Sequence, residues 1–241
     1  MGGPDITAAD LVERVLYQDA NLLVLNKPAG LAVHGGPKTP VHLEGMLEAL
    51  RFNITQSPRL VHRLDRDTSG CLLLARNDRA VSRLGRLFQA HQVRKTYWAV
   101  VAGHVASEHG VIDLPLLKKS DPSSGWRMLA DKSGQPAVTE WRVMGRGLLE
   151  NGQAVTWLEL FPQTGRTHQI RVHCASGLGL PLLGDPVYGI GDRPMHLHAA
   201  GVTVPFWADR PPIVVQAAPP GHMLAALSAC GWSEKPNPAS V

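Results

Sequence analysis

Apolar positions along this chain change period repeatedly, and the changes predict many short strands with a few helices between them. Thr7 opens TAADLVERVL, which predicts a short helix over 7–16 with Thr7 as its cap. A hairpin follows, with strands over 15–18 and 22–26 around the turn Asp19-Ala20-Asn21. Asn26-Lys27-Pro28-Ala29-Gly30 reads as a Pro/Gly turn into a further strand, Leu31 to His34. Leu43, Met46, Leu47 and Leu50 recur at helical spacing within 41–50. Asn77 or Asp78 can cap a helix over about 79–92, with Val81, Leu84, Leu87, Phe88 and His91 as its apolar stripe and Arg79, Arg83 and Arg86 on or near the other side. A strand over 93–102 places Lys95, Tyr97 and Ala99 on one face. Residues 110–149 read as an antiparallel excursion around the polar loop SDPSSG, and 154–161 as an alternating strand. A short helix opens near Thr167 and ends at Gly177, with Ile170 and Cys174 facing the core. Two closing strands, MHLHAAGVTVPF and PPIVVQA, lead to a C-terminal helix, GHMLAALSACG, and a Pro-rich tail.

One stretch breaks this pattern. LVHRLDRDTSGCLLLAR, residues 60–76, passes from an apolar run through a turn with two Arg and two Asp into a second apolar run. Short apolar runs between turn residues predict buried strands. A turn so charged is buried only if its charges are paired, and loops held between rigid strands often carry chemistry. From the pattern alone, a salt-bridged structural turn remains equally open.

Composition narrows the reading modestly. The chain has 241 residues, of which 44% are apolar, enough for a packed core. Lys plus Arg number 24 against 20 Asp plus Glu, and the isoelectric point near 9.1 is compatible with a nucleic-acid partner without establishing one. Cys71, Cys174 and Cys230 form no CxxC pair, which argues against a disulfide framework or zinc ribbon and favours a reducing, cytoplasmic setting. No apolar stretch is long enough for a membrane span. MGGPDITAAD has neither the basic start nor the apolar segment of a secretion signal. His168, His173, Cys174, His196 and His198 raise the question of a metal. The five-residue step from His168 to His173 does not keep one helix face, however, and no acidic or thiol partner completes a set around His196 and His198, so no metal is expected.

HRLDRDTSG and the following LLLAR resemble the central motif of the RluA-type pseudouridine synthases. LLVLNKPAGLAVHGG is similar to that family's N-terminal motif, and Lys95-Thr96-Tyr97 to its K-x-Y. TGRTHQIRVH, followed by PLLGDPVYG, is similar to its last motif. The 110–149 pattern PLLKK…SG…GQPAVT is closest to the RluC-like, large-subunit branch.

This resemblance, over roughly residues 15–215, implies an α+β fold with a mixed, mostly antiparallel sheet flanked by helices and an RNA cleft across it. It implies that uridine in RNA is isomerised to pseudouridine without a cofactor, with 23S rRNA as the favoured target and tRNA as the alternative. Asp65 matches the catalytic aspartate, Tyr97 the tyrosine that packs on the target base, and Arg166 the arginine that pairs with the carboxylate. Arg63 matches the residue that fills the place vacated by the flipped base. Lys95 and Arg171 are implied RNA contacts, with a structural role also open for Arg171, and Ile170 is an implied apolar wall. Asp67 is expected to organise the turn with Thr68 and Ser69. The expectation is a single catalytic domain over 1–230, working as a monomer, with a flexible 231–241 tail. RluC-like enzymes commonly carry a small S4 domain before the catalytic part; none is expected within these residues, either because the protein lacks one, as some family members do, or because the sequence is a catalytic fragment.

Two rivals stand beside this reading. A glycoside hydrolase would need two carboxylates in one cleft, and Asp65 with Asp67 is a conceivable pair, but aromatic residues are only 5% of the chain, few for sugar platforms. A non-catalytic RNA-binding module would have no need of the Asp65 carboxylate.

Overall fold

The computed structural model describes residues 6–36, 39–121 and 125–234. Its centre is a 10-stranded sheet built from β1 (Val15–Gln18), β2 (Leu22–Lys27), β3 (Arg59–Leu60), β4 (Ser69–Ala75), β5 (Arg94–Ala102), β6 (His109–Asp113), β9 (Val138–Leu148), β10 (Ala154–Pro162), β11 (Leu197–Val204) and β12 (Ile213–Gln216). The strand order is β1-β2-β4-β11-β5-β10-β9-β6, with β3 paired to β4 and β12 to β11. β4 and β11 run parallel, and every other pairing is antiparallel. β7 (Leu116–Asp121) and β8 (Gly125–Ala130) form a separate two-stranded hairpin. The fold is therefore the α+β, mostly antiparallel arrangement that the motifs implied.

β4 shows why the sheet sits where it does. Its residues are buried throughout, with Leu72 and Leu74 on one face and Cys71, Leu73 and Ala75 on the other. An unbroken apolar strand suits a sheet covered on both faces. The first face is covered by α1 (Ala8–Val12), by a 3₁₀ helix (Leu43–Leu50) and by α3 (Gln169–Val172). The second is covered by α2 (Asp78–Gln89), whose Ala80, Leu84 and Leu87 are buried against it. Asn77 caps α2, its side chain accepting from Ala80 N–H at 2.8 Å. α4 (Gly221–Ala229) packs Met223, Ala226 and Leu227 on Val100, Val155 and Trp157.

Some local expectations change. α1 keeps the Thr7 cap, in a reciprocal capping box with Asp10, but stops at Val12 because β1 begins at Val15. Leu31 to His34 is not a strand. Leu31 and Val33 are buried, while the carbonyls of Ala32 and Val33 accept from Leu43 and Glu44 N–H at 2.9 and 3.1 Å. The segment thus satisfies the free donors at the start of the 3₁₀ helix rather than joining a sheet. Residues 122–124 of the SDPSSG loop and 235–241 of the expected tail lie outside the described residues.

Candidate active site

The charged turn between β3 and β4 is braced from beneath by the NKPAG loop. Thr68 N–H donates to Asp65 O at 3.2 Å, closing the turn. Gly30 N–H donates to Arg66 O at 2.9 Å, and Arg66 Nε returns a bond to Gly30 O at 3.0 Å. Lys27 is fully buried, and its Nζ donates to Pro28 O and Leu31 O at 2.8 Å and to Arg66 O at 3.0 Å. Three carbonyls match the three N–H groups of an ammonium. Burial pushes the Lys27 pKa down to about 7, against the pull of Asp67 and then Asp65.

Asp65 is carried by this turn into a cavity of about 420 Å³, a size suited to a small ligand or a single base. Lys95 and Tyr97 enter from β5, two residues apart on one strand face, and Ile170 from α3. Burial and then the Asp65 charge push the Tyr97 phenol pKa well up, so it is protonated. His62 accepts from Leu73 N–H at 2.9 Å and packs its ring on Phe88 at 5.0 Å. Burial, with a smaller push from Lys95, takes its pKa down to about 3, so it is neutral. Three non-glycine residues have a positive φ among those described, and two of them, His91 and His168, line this cavity. Backbone held in that region tends to gather at functional sites.

Arg171 organises the polar side. Its Nε and Nη2 bond the two carboxylate oxygens of Asp185, each at 2.8 Å, and its Nη1 lies 3.7 Å from Asp65 Oδ2. Asp185 is fully buried and also accepts from Val187 and Tyr188 N–H at 2.8 and 3.1 Å. Burial alone would raise its pKa, but the Arg171 bonds and charge and the two N–H donors outweigh that and hold it below the ordinary value. Arg171 also lies over the Tyr188 ring, 5.2 Å from its centroid. The Tyr188 hydroxyl accepts from Met128 N–H at 3.1 Å and lies 3.0 Å from His168 Nδ1, tying the β7–β8 hairpin to the same network.

A family model described as RNA pseudouridylate synthase matches residues 21–176. The chain belongs to the RNA pseudouridylate synthase family. Its activity is accordingly that of an isomerase acting on RNA. Over 216 residues it is 44% identical to an uncharacterized RNA pseudouridine synthase of Zymomonas mobilis, covering 87% of this chain and 95% of that one. It is 37% identical to the ribosomal large subunit pseudouridine synthase C of Vibrio cholerae, over 91% of this chain and 70% of that protein. It is also 37% identical to the dual-specificity RNA pseudouridine synthase RluA of Vibrio vulnificus, over 77% and 75%. The solved human RNA pseudouridylate synthase domain containing 4 superposes with a TM-score of 0.78 at 28% identity, covering 95% of this chain and 97% of that one.

In this pseudouridylate synthase chain, Asp65, Tyr97, Arg63, Lys95, Ile170, Arg166 and Arg171 all line the one cavity. Their pairing differs from the motif reading. The arginine beside Asp65 is Arg171, whereas Arg166 is exposed and its Nε donates to Pro136 O at 3.1 Å. Arg171, left open between an RNA contact and a structural role, is buried and its guanidinium is committed to two carboxylates, as the structural role requires. The short helix explains the exchange. Arg166 precedes it, with its backbone N–H on Gln169 Oε1, while Arg171 lies within α3 and turns inward. Lys95 is likewise drawn inward, to Thr164 O at 3.3 Å, and burial lowers its pKa.

Asp67 makes none of the expected bonds to Thr68 and Ser69. Thr68 bonds Asp65, and the Ser69 hydroxyl lies 2.8 Å from His198 Nδ1. Asp67 does not line the cavity, which removes the second carboxylate of the glycoside hydrolase reading. The histidines considered for metal have other partners: His198 Nε2 donates to Ala217 O, His196 Nδ1 to Pro194 O, and His173 bonds Thr139 and Leu114. Among the described residues no group of three or more His, Cys, Asp or Glu is arranged to hold a metal ion.

Lys27, Asp185 and Tyr188 were missed as site residues. All three stand inside quoted motifs, NKPAG and GDPVYG, but their spacing carries no sign of which carbonyl or guanidinium they meet.

Proposed function

We propose that this enzyme converts a specific uridine of large-subunit rRNA to pseudouridine, with Asp65 as the reacting carboxylate. The observation that carries the reading is Asp65 in a base-sized cavity with Arg171 as its counter-charge and Tyr97 beside it. The C1′–N1 bond breaks, the uracil turns in place, C5 joins C1′, N1 gains a proton, and the C5 proton leaves to solvent. Electrons balance without a redox partner. Asp65 supplies negative charge, as nucleophile or as ion stabiliser, where the sugar or base becomes electron-poor. Tyr97 and Ile170 hold the extruded base, whose unstacking costs a few kcal/mol. Arg63, exposed at the cavity edge, fills the place the base leaves. Arg166, exposed beside it, meets the RNA backbone.

The large-subunit relative supports the rRNA target, and the dual-specificity relative at the same identity leaves room for a second kind of RNA, for which tRNA is the alternative reading. We read the enzyme as a cytoplasmic monomer with one catalytic domain. Its three buried, unpaired cysteines suit a reducing compartment.

Tritium release from C5-labelled uridine tests the reading, with unmodified large-subunit rRNA and tRNA transcripts side by side. Release that depends on Asp65 supports the isomerase, and the responding RNA names the substrate. Equal release by Asp65→Asn would sink the assignment. That substitution should cut turnover on the order of 10³-fold or more while RNA binding is largely kept.

A further inference from the structure

Outside the cavity, one cluster gathers three guanidinium groups around a single ring with no carboxylate from the described residues among them. Trp207, half-buried in the segment between β11 and β12, is ringed by three guanidinium groups: Arg79 at 5.7 Å, Arg83 at 5.7 Å and Arg210 at 5.4 Å from its ring centroid. Arg83 also lies over Phe206 at 5.4 Å and donates from Nε to Phe206 O. Elsewhere Arg51, Arg59, Arg142, Arg146, Arg171 and Arg193 each have a carboxylate within 4.0 Å, while Arg14, Arg66, Arg76 and Arg94 have none among the described residues but stand apart from one another in the chain. Among the described residues, none of the three around Trp207 has one.

Three like charges around one indole repel each other unless an anion sits among them. The ring orients the guanidinium planes, and an oriented guanidinium is suited to bidentate bonds with phosphate. The helix that carries two of these arginines also reaches the cavity at its other end. Arg79, Arg83 and Arg86 are spaced to share one face of α2, and Arg86 is exposed. The far end of the same helix supplies Phe88 and Gln89 to the cavity wall. From Arg79 to Phe88 is about 13 Å along the helix axis. Phe88 stands on the opposite flank of α2 from these arginines, so an RNA strand leaving the cavity would cross the end of α2 before it met Arg86, then Arg83, then the Trp207 cluster.

We propose that the arginine face of α2 and the Trp207–Arg210 segment bind the phosphate backbone of the RNA flanking the target uridine. The inference rests on the reading of the cavity as the uridine site. The occupant is a polyanion because separated cations along one helix face need a ligand with separated charges. Arg83 also bonds the fold, so the test uses the exposed pair.

The variant is Arg79→Gln/Arg210→Gln, with Arg146→Gln, whose arginine pairs with Glu108, as control. Tritium release on the transcript that the wild type converts gives kcat and KM. Filter retention of unmodified large-subunit rRNA and tRNA transcripts across a potassium chloride series gives the salt slope. The expected result is a KM raised about five- to twentyfold, kcat at saturation unchanged, and a slope of log affinity on log salt shallower by about 1.4, for two single-strand phosphate contacts. The control should keep the wild-type slope, and both variants should melt like the wild type. An unchanged slope and KM would overturn the proposal, and so would a fall in kcat at unchanged KM. If the wild type releases no tritium, the uridine-site reading fails, yet the salt slopes still decide whether these arginines meet RNA.

Discussion

Arg171 faces Asp65 across 3.7 Å with Nη1 while its Nε and Nη2 grip both oxygens of Asp185 at 2.8 Å. The buried Asp185 therefore fixes the guanidinium, and the guanidinium in turn presents one positive edge to the proposed reacting carboxylate. A preset charge of this kind needs no rearrangement when the reaction begins.

This pair predicts a marked asymmetry between single and double substitution. Arg171→Ala leaves Asp185 buried without its partner and should cost about 3–5 kcal/mol. Arg171→Met combined with Asp185→Asn, whose amide oxygen still accepts from Val187 and Tyr188 N–H, should recover most of that stability and none of the turnover. Urea unfolding of the three proteins, beside tritium release, checks both. If the double variant were as unstable as Arg171→Ala, the ion pair would not be the source of the loss.

Lys27 has no contact with the cavity, but it holds the turn that does. Lys27→Met removes the donor shared by the carbonyls of Pro28, Leu31 and Arg66, and should cost about 1–3 kcal/mol. Turnover should fall further than RNA affinity, because Asp65 loses its brace while the proposed phosphate contacts are untouched. Comparing kcat with filter-binding affinity below the melting temperature separates these effects.

Gly70 sits where β4 and β11 run parallel. Its φ is +103°, and a Cβ there would stand 2.2 Å from Ala199 O, a backbone atom that cannot swing away. Gly70→Ala should destabilise by about 2–5 kcal/mol, combining backbone strain with overpacking. A melting curve close to the wild type would contradict this placement of the two strands.

His196 and His198 are buried, and burial takes both pKa values down to about 4. Below the ordinary histidine value near 6.5 the unfolded chain takes up these protons and the folded chain does not. Stability from this source is full above about pH 6.5 and is lost as pH falls toward 4. Each group contributes a slope of up to about 1.4 kcal/mol per pH unit within that window. Urea unfolding from pH 7.5 to 4.5 should show the decline, and His198→Gln should make it shallower by about one proton. An equal slope in the two proteins would mean that His198 titrates normally in the fold.

The strands and helices were legible from the chain, because apolar period and turn chemistry are local properties, whereas the gathering of Asp65, Tyr97 and Ile170 was expected only through the resemblance of their motifs to the family's. The uninterrupted CLLLA run already required a strand covered on both faces, and the Lys95–Tyr97 spacing already put both side chains on one face of β5. Leu31 to His34 misled for the same reason. Its apolar residues do enter the core, but its carbonyls go to a helix start instead of a ladder.

What tertiary structure alone decided was pairing. Arg166 and Arg171 stand five residues apart in one motif, and nothing local says which reaches Asp65. The choice depends on α3 turning Arg171 toward Asp185, whose carboxylate comes from a loop 14 residues further on. Lys27 meets Arg66 O across 39 residues, and Trp207 meets Arg79 across the whole β5–β11 span. Apolar burial is non-directional and is written along the chain. Hydrogen bonds and ion pairs are short-ranged and directional, so their partners exist only once the sheet has brought distant segments together.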